Sequence, residues 1–335
     1  MARTTPPRPL DVETLFPEVA SYRKTVVRLH PRLGDPSARE SSLGGPVLWP
    51  LSEPWPHCED DHPRTAFSPP AQGPIPLVPV LQLFAADVPD LAFPSATDLL
   101  QVLWCPFDHE DGYVARPEIY WRDGSLSDLQ PANRPRPTGA DNDYLPDPCV
   151  LHPERVTDYP NWDLPDEVAD ALEVRFEQLE EETGWSYWSH LSVSDGVKVG
   201  GYPTWTQEPN WPTCPTCRVR MEHLLTISSN EFDGESWRTW LPIEDTPAMG
   251  TIWDLPYEQR TEIQCPPWAH ARRHGRHLPV RMHQLLRQAL RLPLRLFLTA
   301  RCFDQRAKLV PARQPSITSG QYCSILSLRF TARVI

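Results

Sequence analysis

The chain has 335 residues, with 32 Lys+Arg against 44 Asp+Glu for a formal net charge of −12, and 8 Cys, 41 Pro, 13 Trp and 15 Gly. This length can bury a core without covalent staples, and so few cysteines do not suggest a secreted disulfide scaffold. The opening MARTTPPRPL has no apolar leader core and no run is long enough to span a bilayer, so the expectation is a cytoplasmic protein with no membrane partner.

Taken in chain order, residues 11–21 predict a short helix with Asp11 as N-cap. Tyr22–Leu33 predicts a strand, and Leu77–Phe84 and Asp98–Cys105 predict short buried strands bounded by turn residues. Tyr113–Trp121 alternates as a half-exposed strand. Residues 123–162, rich in Pro, Asp and Asn, predict a connecting loop. Asp163–Thr183 carries the clearest helical pattern, with Pro165 in its first turn and Gly184 as its stop. Its apolar face is Val168, Leu172, Phe176 and Leu179, which leaves Glu177, Glu180, Glu181 and Glu182 on a solvated side.

Two stretches match in order. Leu43–Cys58 is LGGPVLWPLSEPWPHC and Val199–Cys214 is VGGYPTWTQEPNWPTC. Each carries a Gly pair, a Pro, a Trp, a Glu-Pro, a Trp-Pro and a Cys in the same order, with the equivalent glycines Gly45 and Gly201 lying 156 residues apart, and each is followed by an apolar run. A duplicated supersecondary unit accounts for this, since chance rarely preserves so many punctuating residues in sequence. The expected architecture is therefore β-rich and built from two related halves. Residues 1–122 form the first half, 123–162 the connecting loop, 163–267 the second half and 268–335 a tail.

Cys214-Pro-Thr-Cys217 is the sharpest local motif. A C-x2-C turn sets two thiolates on one side of a tight loop, as one knuckle of a tetrahedral zinc site requires. A thiol–disulfide reading places the motif at a helix N-terminus, whereas a strand-like run follows here. Cys58-x3-His62 is a weaker echo, read as a loop cysteine and a surface histidine. Asp108-His109, His152 with Glu154, and Ser186 or Ser189 with His190 are the acid–base or nucleophile candidates, but none lies in a recognised catalytic motif. No catalytic or cofactor-binding residues are assigned, and the metal candidates are Cys214 and Cys217.

These motifs resemble the YwqG-like family of uncharacterised bacterial domains. The resemblance is carried by SSLGGPVLWP (Ser41–Pro50), PLVPVLQLFAADVPDLAFP (Pro76–Pro94), LLQVLWCPFDH (Leu99–His109), VGGYPTWTQ (Val199–Gln207) and WPTCPTCRVRMEHLLTI (Trp211–Ile227). It extends from about residue 15 to about residue 267 and implies an α+β, β-rich fold, with two related halves of long, coiled, bifurcated antiparallel sheet and few helices. It implies no activity. The association of some relatives with polymorphic toxins makes an immunity-type, protein-binding role the preferred expectation, with a small-molecule binder or enzyme using a cleft between the halves as the alternative. It also implies that the counterparts of Cys214 and Cys217 form half of a structural four-cysteine zinc ribbon.

The resemblance stops where the charge changes sign. Residues 1–267 hold 19 Lys+Arg and 43 Asp+Glu, while residues 268–335 hold 13 Lys+Arg and the single acid Asp304. A one-base displacement of Trp268-Ala269 must encode Gly, and one of Met282-His283 must encode Cys, both where the family pattern places them. The tail is therefore expected to be an out-of-frame product that lacks the second cysteine pair. Zinc at Cys214 and Cys217 is then expected to be weak or absent, and the second sheet to end on an unpaired edge. A basic amphipathic helix around Met282, Leu285 and Arg287 is the competing reading of this tail. The acidic body argues against a nucleic-acid partner.

Overall fold

The computed structural model describes residues 2–62, 73–107, 109, 115–132, 134–140, 142–205, 209–214 and 217–269, and the backbone of 294–298, 310–311 and 333–334. The fold is α+β and β-rich, with antiparallel sheets predominating. In chain order the strands are β1 (Lys24–Arg28), β2 (Arg32–Leu33), β3 (Ser42–Leu43), β4 (Val47–Pro50), β5 (His57–Cys58), β6 (Ile75–Pro76), β7 (Val78–Phe84), β8 (Leu99–Cys105) and β9 (Arg116–Arg122). They continue with β10 (Leu129–Ala132), β11 (Cys149–Val150), β12 (Glu154–Asp158), β13 (Lys198–Gly200), β14 (Glu222–Ile227), β15 (Leu294–Leu298), β16 (Val310–Pro311) and β17 (Arg333–Val334).

β10 with β4 and β5 with β6 form two-stranded sheets, and the two large sheets run β12-β1-β13-β14-β15-β16 and β17-β9-β8-β7-β3-β11-β2. They are joined by a single bent ribbon. β1 pairs with β12 from Lys24↔Asp158 to Arg28↔Glu154, and β2 pairs with β11 at Arg32↔Val150 and Leu33↔Cys149. The His152 N–H donates to the Leu29 carbonyl at 2.7 Å between those two ladders, so the register continues unbroken as the ribbon divides between the sheets. The stretch expected to be a loop over 123–162 therefore carries three strands. Prolines and acids interrupt it, with Pro131 inside β10 and Glu154 and the buried Asp158 inside β12, which hides the alternation there.

The two sheets repeat one pattern. Ser42 faces Gln82 and Leu43 faces Leu81 across β3–β7, while Lys198 faces Thr226 and Val199 faces Leu225 across β13–β14. Both β7 and β14 then break register at the same point, between Pro79 and Leu81 opposite β8 and between His223 and Leu225 opposite β15. The small hairpin that follows each motif also recurs, as His57↔Pro76 in one half and Thr213↔Arg220 in the other. The edge of β14 expected to be unpaired is covered by β15, from within the tail. Residues 270–293, including the proposed basic helix, lie outside the described residues.

The glycine pairs are explained by close approach. Gly44 and Gly201 both adopt φ +67°, and a Cβ on Gly201 would run into the Asp158 carboxylate and Val26. The tryptophans of each motif pack together beneath the turn, Trp49 with Trp55 at 4.9 Å between centroids and Trp205 with Trp211 at 5.7 Å. Both Trp205 and Trp211 donate their indole N–H to Asp163, at 2.8 and 2.5 Å. In the first half the equivalent fastening is a buried amide–guanidinium chain. Gln101 donates to the Gln82 side-chain oxygen at 2.9 Å, Arg122 donates to Gln101 at 2.9 Å and to Glu53 at 2.8 Å, and its guanidinium lies over Trp49.

Leu29, Leu43, Val78, Leu81, Val102, Val199 and Leu225 share the central core between the sheets. Burying each such side chain contributes about 1.5–3 kcal/mol. Helix α1 (Val12–Leu15) is capped by Asp11, as expected, and gives way to a 3-10 turn from Pro17. Helix α2 (Asp166–Thr183) buries Leu172, Phe176 and Leu179 and stops at Gly184 in the left-handed region. Two short helices, α3 (Trp237–Trp240) and α4 (Tyr257–Gln264), follow β14 in the chain.

Candidate metal centre

The hairpin of β5 and β6 and the end of β8 bring four side chains together. Cys58 ends β5 and His62 follows it, while Cys105 ends β8 and His109 follows that. The ligand atoms of Cys58, His62, Cys105 and His109 all lie within 4.8 Å of one another. His62 Nε2 is 3.1 Å from Cys105 Sγ and 3.8 Å from Cys58 Sγ, and His109 Nε2 is 3.4 Å from Cys58 Sγ. A tetrahedral zinc ion with ordinary Zn–S and Zn–N bonds places sulfur and nitrogen about 3.6 Å apart. The three observed edges straddle that value, and the donor set, two thiolates and two imidazoles, suits a borderline metal. This Cys2His2 cluster could bind a metal ion.

The electrostatics agree with a ligand set. Cys105 shares a hydrogen bond with Cys58 and lowers the Cys58 pKa to about 4, with His109 adding to the effect. The same bond, together with burial, pushes the Cys105 thiol up. The two sulfurs thus compete for one proton, and a dication in the centre would let both ionise. Burial lowers the His62 pKa, helped by His109, which keeps a ring nitrogen available for coordination. Cys58, Cys105 and His109 are buried, and His62 is half-buried. Cys58 also lines a cleft of about 300 Å³ with His57, Glu59, Asp60, Leu77, Arg116 and Glu118, in which Arg116 is ion-paired to Asp60.

Cys214 and Cys217 lie elsewhere, in the matching hairpin of the second half. Arg218, at φ +59°, donates its N–H to the Cys214 carbonyl at 2.9 Å, and the Cys214 N–H donates to the Val219 carbonyl at 2.9 Å, forming a tight turn around the pair. Cys214 is buried against Trp205 and Met221, and Cys217 is half-buried. The offset of 156 residues that relates the two motifs carries Cys58 onto Cys214. The β8–β15 correspondence, with Trp104 matching Leu298, carries Cys105 onto Thr299, which lies outside the described residues.

His62 is thus not the surface histidine expected. The signal missed was the repetition of one spacing, Cys58-x3-His62 and Cys105-x3-His109, on two segments that the sheet brings side by side. His109, expected to pair with Asp108 as an acid–base candidate, sits in this cluster, and Asp108 lies outside the described residues. Glu154 accepts from His30 at 3.0 Å and from Thr5, so it is committed to the ribbon. His190 accepts the backbone N–H of Ser186 at 2.9 Å, and Ser189 is exposed. No helix among the described residues is long and apolar enough to cross a membrane.

No protein-family model matches the chain. A 40-residue stretch, 12% of the chain, is 38% identical to an uncharacterised protein, YpfL, of Salmonella typhimurium. The chain spans 9% of that protein's length in this match.

Proposed function

We propose that Cys58, His62, Cys105 and His109 hold zinc as a closed structural centre within a non-catalytic protein-recognition module of the YwqG-like kind, with an immunity-type role preferred. The observation that carries this reading is the donor set: two sulfurs and two nitrogens at near-tetrahedral edges fill four positions and leave none for a substrate. The metal would tie the β5–β6 hairpin to the end of β8 and hold one wall of the cleft. The repeated registers support descent of the two halves from one duplicated unit. Cys214 and Cys217 are then the remaining half of a matching centre, whose second pair the tail does not supply at the corresponding position.

Cobalt substitution tests the reading. A closed S2N2 centre gives tetrahedral ligand-field bands and thiolate charge-transfer bands that do not move on addition of azide or cyanide. A spectrum that shifts with those anions reveals an open coordination position and favours the alternative, a small-molecule binder or enzyme. The cleft beside the centre is lined from the first half and does not lie between the two halves.

A further inference from the structure

The two sulfurs of the cluster differ in access. Cys58 lines the cleft, whereas Cys105 is fully buried behind it. Their Sγ atoms lie within 4.8 Å of each other, so a disulfide requires them to close by no more than about 3 Å. In a zinc-bound S2N2 centre the two thiolates share one edge of the tetrahedron and keep their nucleophilic lone pairs. A small oxidant entering the cleft therefore meets one thiolate first, with a resolving thiolate directly behind it. That arrangement of an accessible sulfur beside a resolving sulfur is what reversible thiol oxidation requires.

We propose that this centre is a peroxide-operated zinc switch, an inference that rests on the zinc reading above. The Cys58 thiolate attacks the peroxide, the O–O bond breaks, hydroxide leaves and Cys58 becomes a sulfenic acid. The Cys105 thiolate then attacks the Cys58 sulfur, the S–S bond forms, the S–O bond breaks and a second hydroxide leaves. Two solvent protons convert the hydroxides to water, so the two thiolates have delivered two electrons to one peroxide. A neutral disulfide is a poor zinc ligand, and the two imidazoles left behind do not hold the ion. Release of zinc unties the β5–β6 hairpin from β8 and changes the wall of the cleft. Thiol reductant plus zinc restores the closed state.

The test uses the full chain loaded with zinc and titrated with hydrogen peroxide. Free zinc is read with a metallochromic chelator, and thiols are read by alkylation and peptide mass mapping. The expected result is one zinc released for each Cys58–Cys105 disulfide, reversed by reductant and zinc. A Cys58→His variant replaces the accessible thiolate with a third imidazole and should release zinc at least tenfold more slowly. Release with no Cys58–Cys105 disulfide, or retention of zinc while other cysteines oxidise, overturns the switch. A chain that never takes up zinc defeats the zinc reading itself, whereas one that holds zinc throughout the titration defeats only the switch.

Discussion

The second glycine pair is fixed by a buried ion pair, which makes Lys198→Met an informative perturbation. Lys198 Nζ is 3.2 Å from Asp158, both side chains are fully buried, and Lys198 also donates to the Ser194 carbonyl at 2.5 Å. Burial lowers the lysine's pKa, with Asp158 opposing that shift. Removing one partner of a buried pair costs about 3–5 kcal/mol, mostly from the charge left behind. Here the Asp158 carboxylate keeps two backbone donors, the N–H groups of Ser194 at 2.8 Å and Tyr202 at 3.2 Å. The expected loss therefore sits at the low end, about 3 kcal/mol. Equilibrium urea unfolding followed by tryptophan fluorescence should show a lower midpoint with an unchanged slope. Adding Asp158→Asn should recover at least half of the loss. A single-variant effect within about 0.5 kcal/mol, the range of an ordinary surface substitution, would refute the reasoning.

Three further outcomes follow from particular residues. Gly201→Ala should destabilise by more than about 2 kcal/mol, because the new Cβ meets the Asp158 carboxylate at a left-handed backbone position. Gly184→Ala, also left-handed but with open space around it, should cost only about 1 kcal/mol in the same unfolding assay. Burial and the nearby Arg28 hold the His30 pKa down at about 4, with Glu154 opposing and Arg32 reinforcing. The unfolded chain thus binds the extra proton first, so His30 contributes a loss of stability as pH falls from about 6.5 towards 4. Its share reaches about 3 kcal/mol, and the difference between the wild-type and His30→Gln stability profiles should stop changing with pH above about pH 7.

Much of the architecture was legible because it rests on local punctuation. Trp49, Trp55, Trp205 and Trp211 mark two copies of one turn, and β7, β8 and α2 fall on the predicted apolar runs. The ribbon through Cys149–Asp158 was not legible, since its pairing is long-range and its sequence is interrupted by prolines and acids. The metal cluster was missed for a related reason. Cys58 and Cys105 become neighbours only after β5 and β8 are brought together, and each Cys-x3-His alone is a weak signal. Cys217 follows Cys214 closely enough to be noticed, yet no further ligand appears beside that pair among the described residues.

Metal content in matched variants tests the central claim most directly. By elemental analysis of the purified chain after exchange into metal-free buffer, the wild type should retain one zinc. Cys105→Ala and His109→Ala should lose it, while the Cys214→Ser/Cys217→Ser double variant should keep it. Zinc that survives Cys105→Ala but disappears with Cys214 and Cys217 would contradict the account.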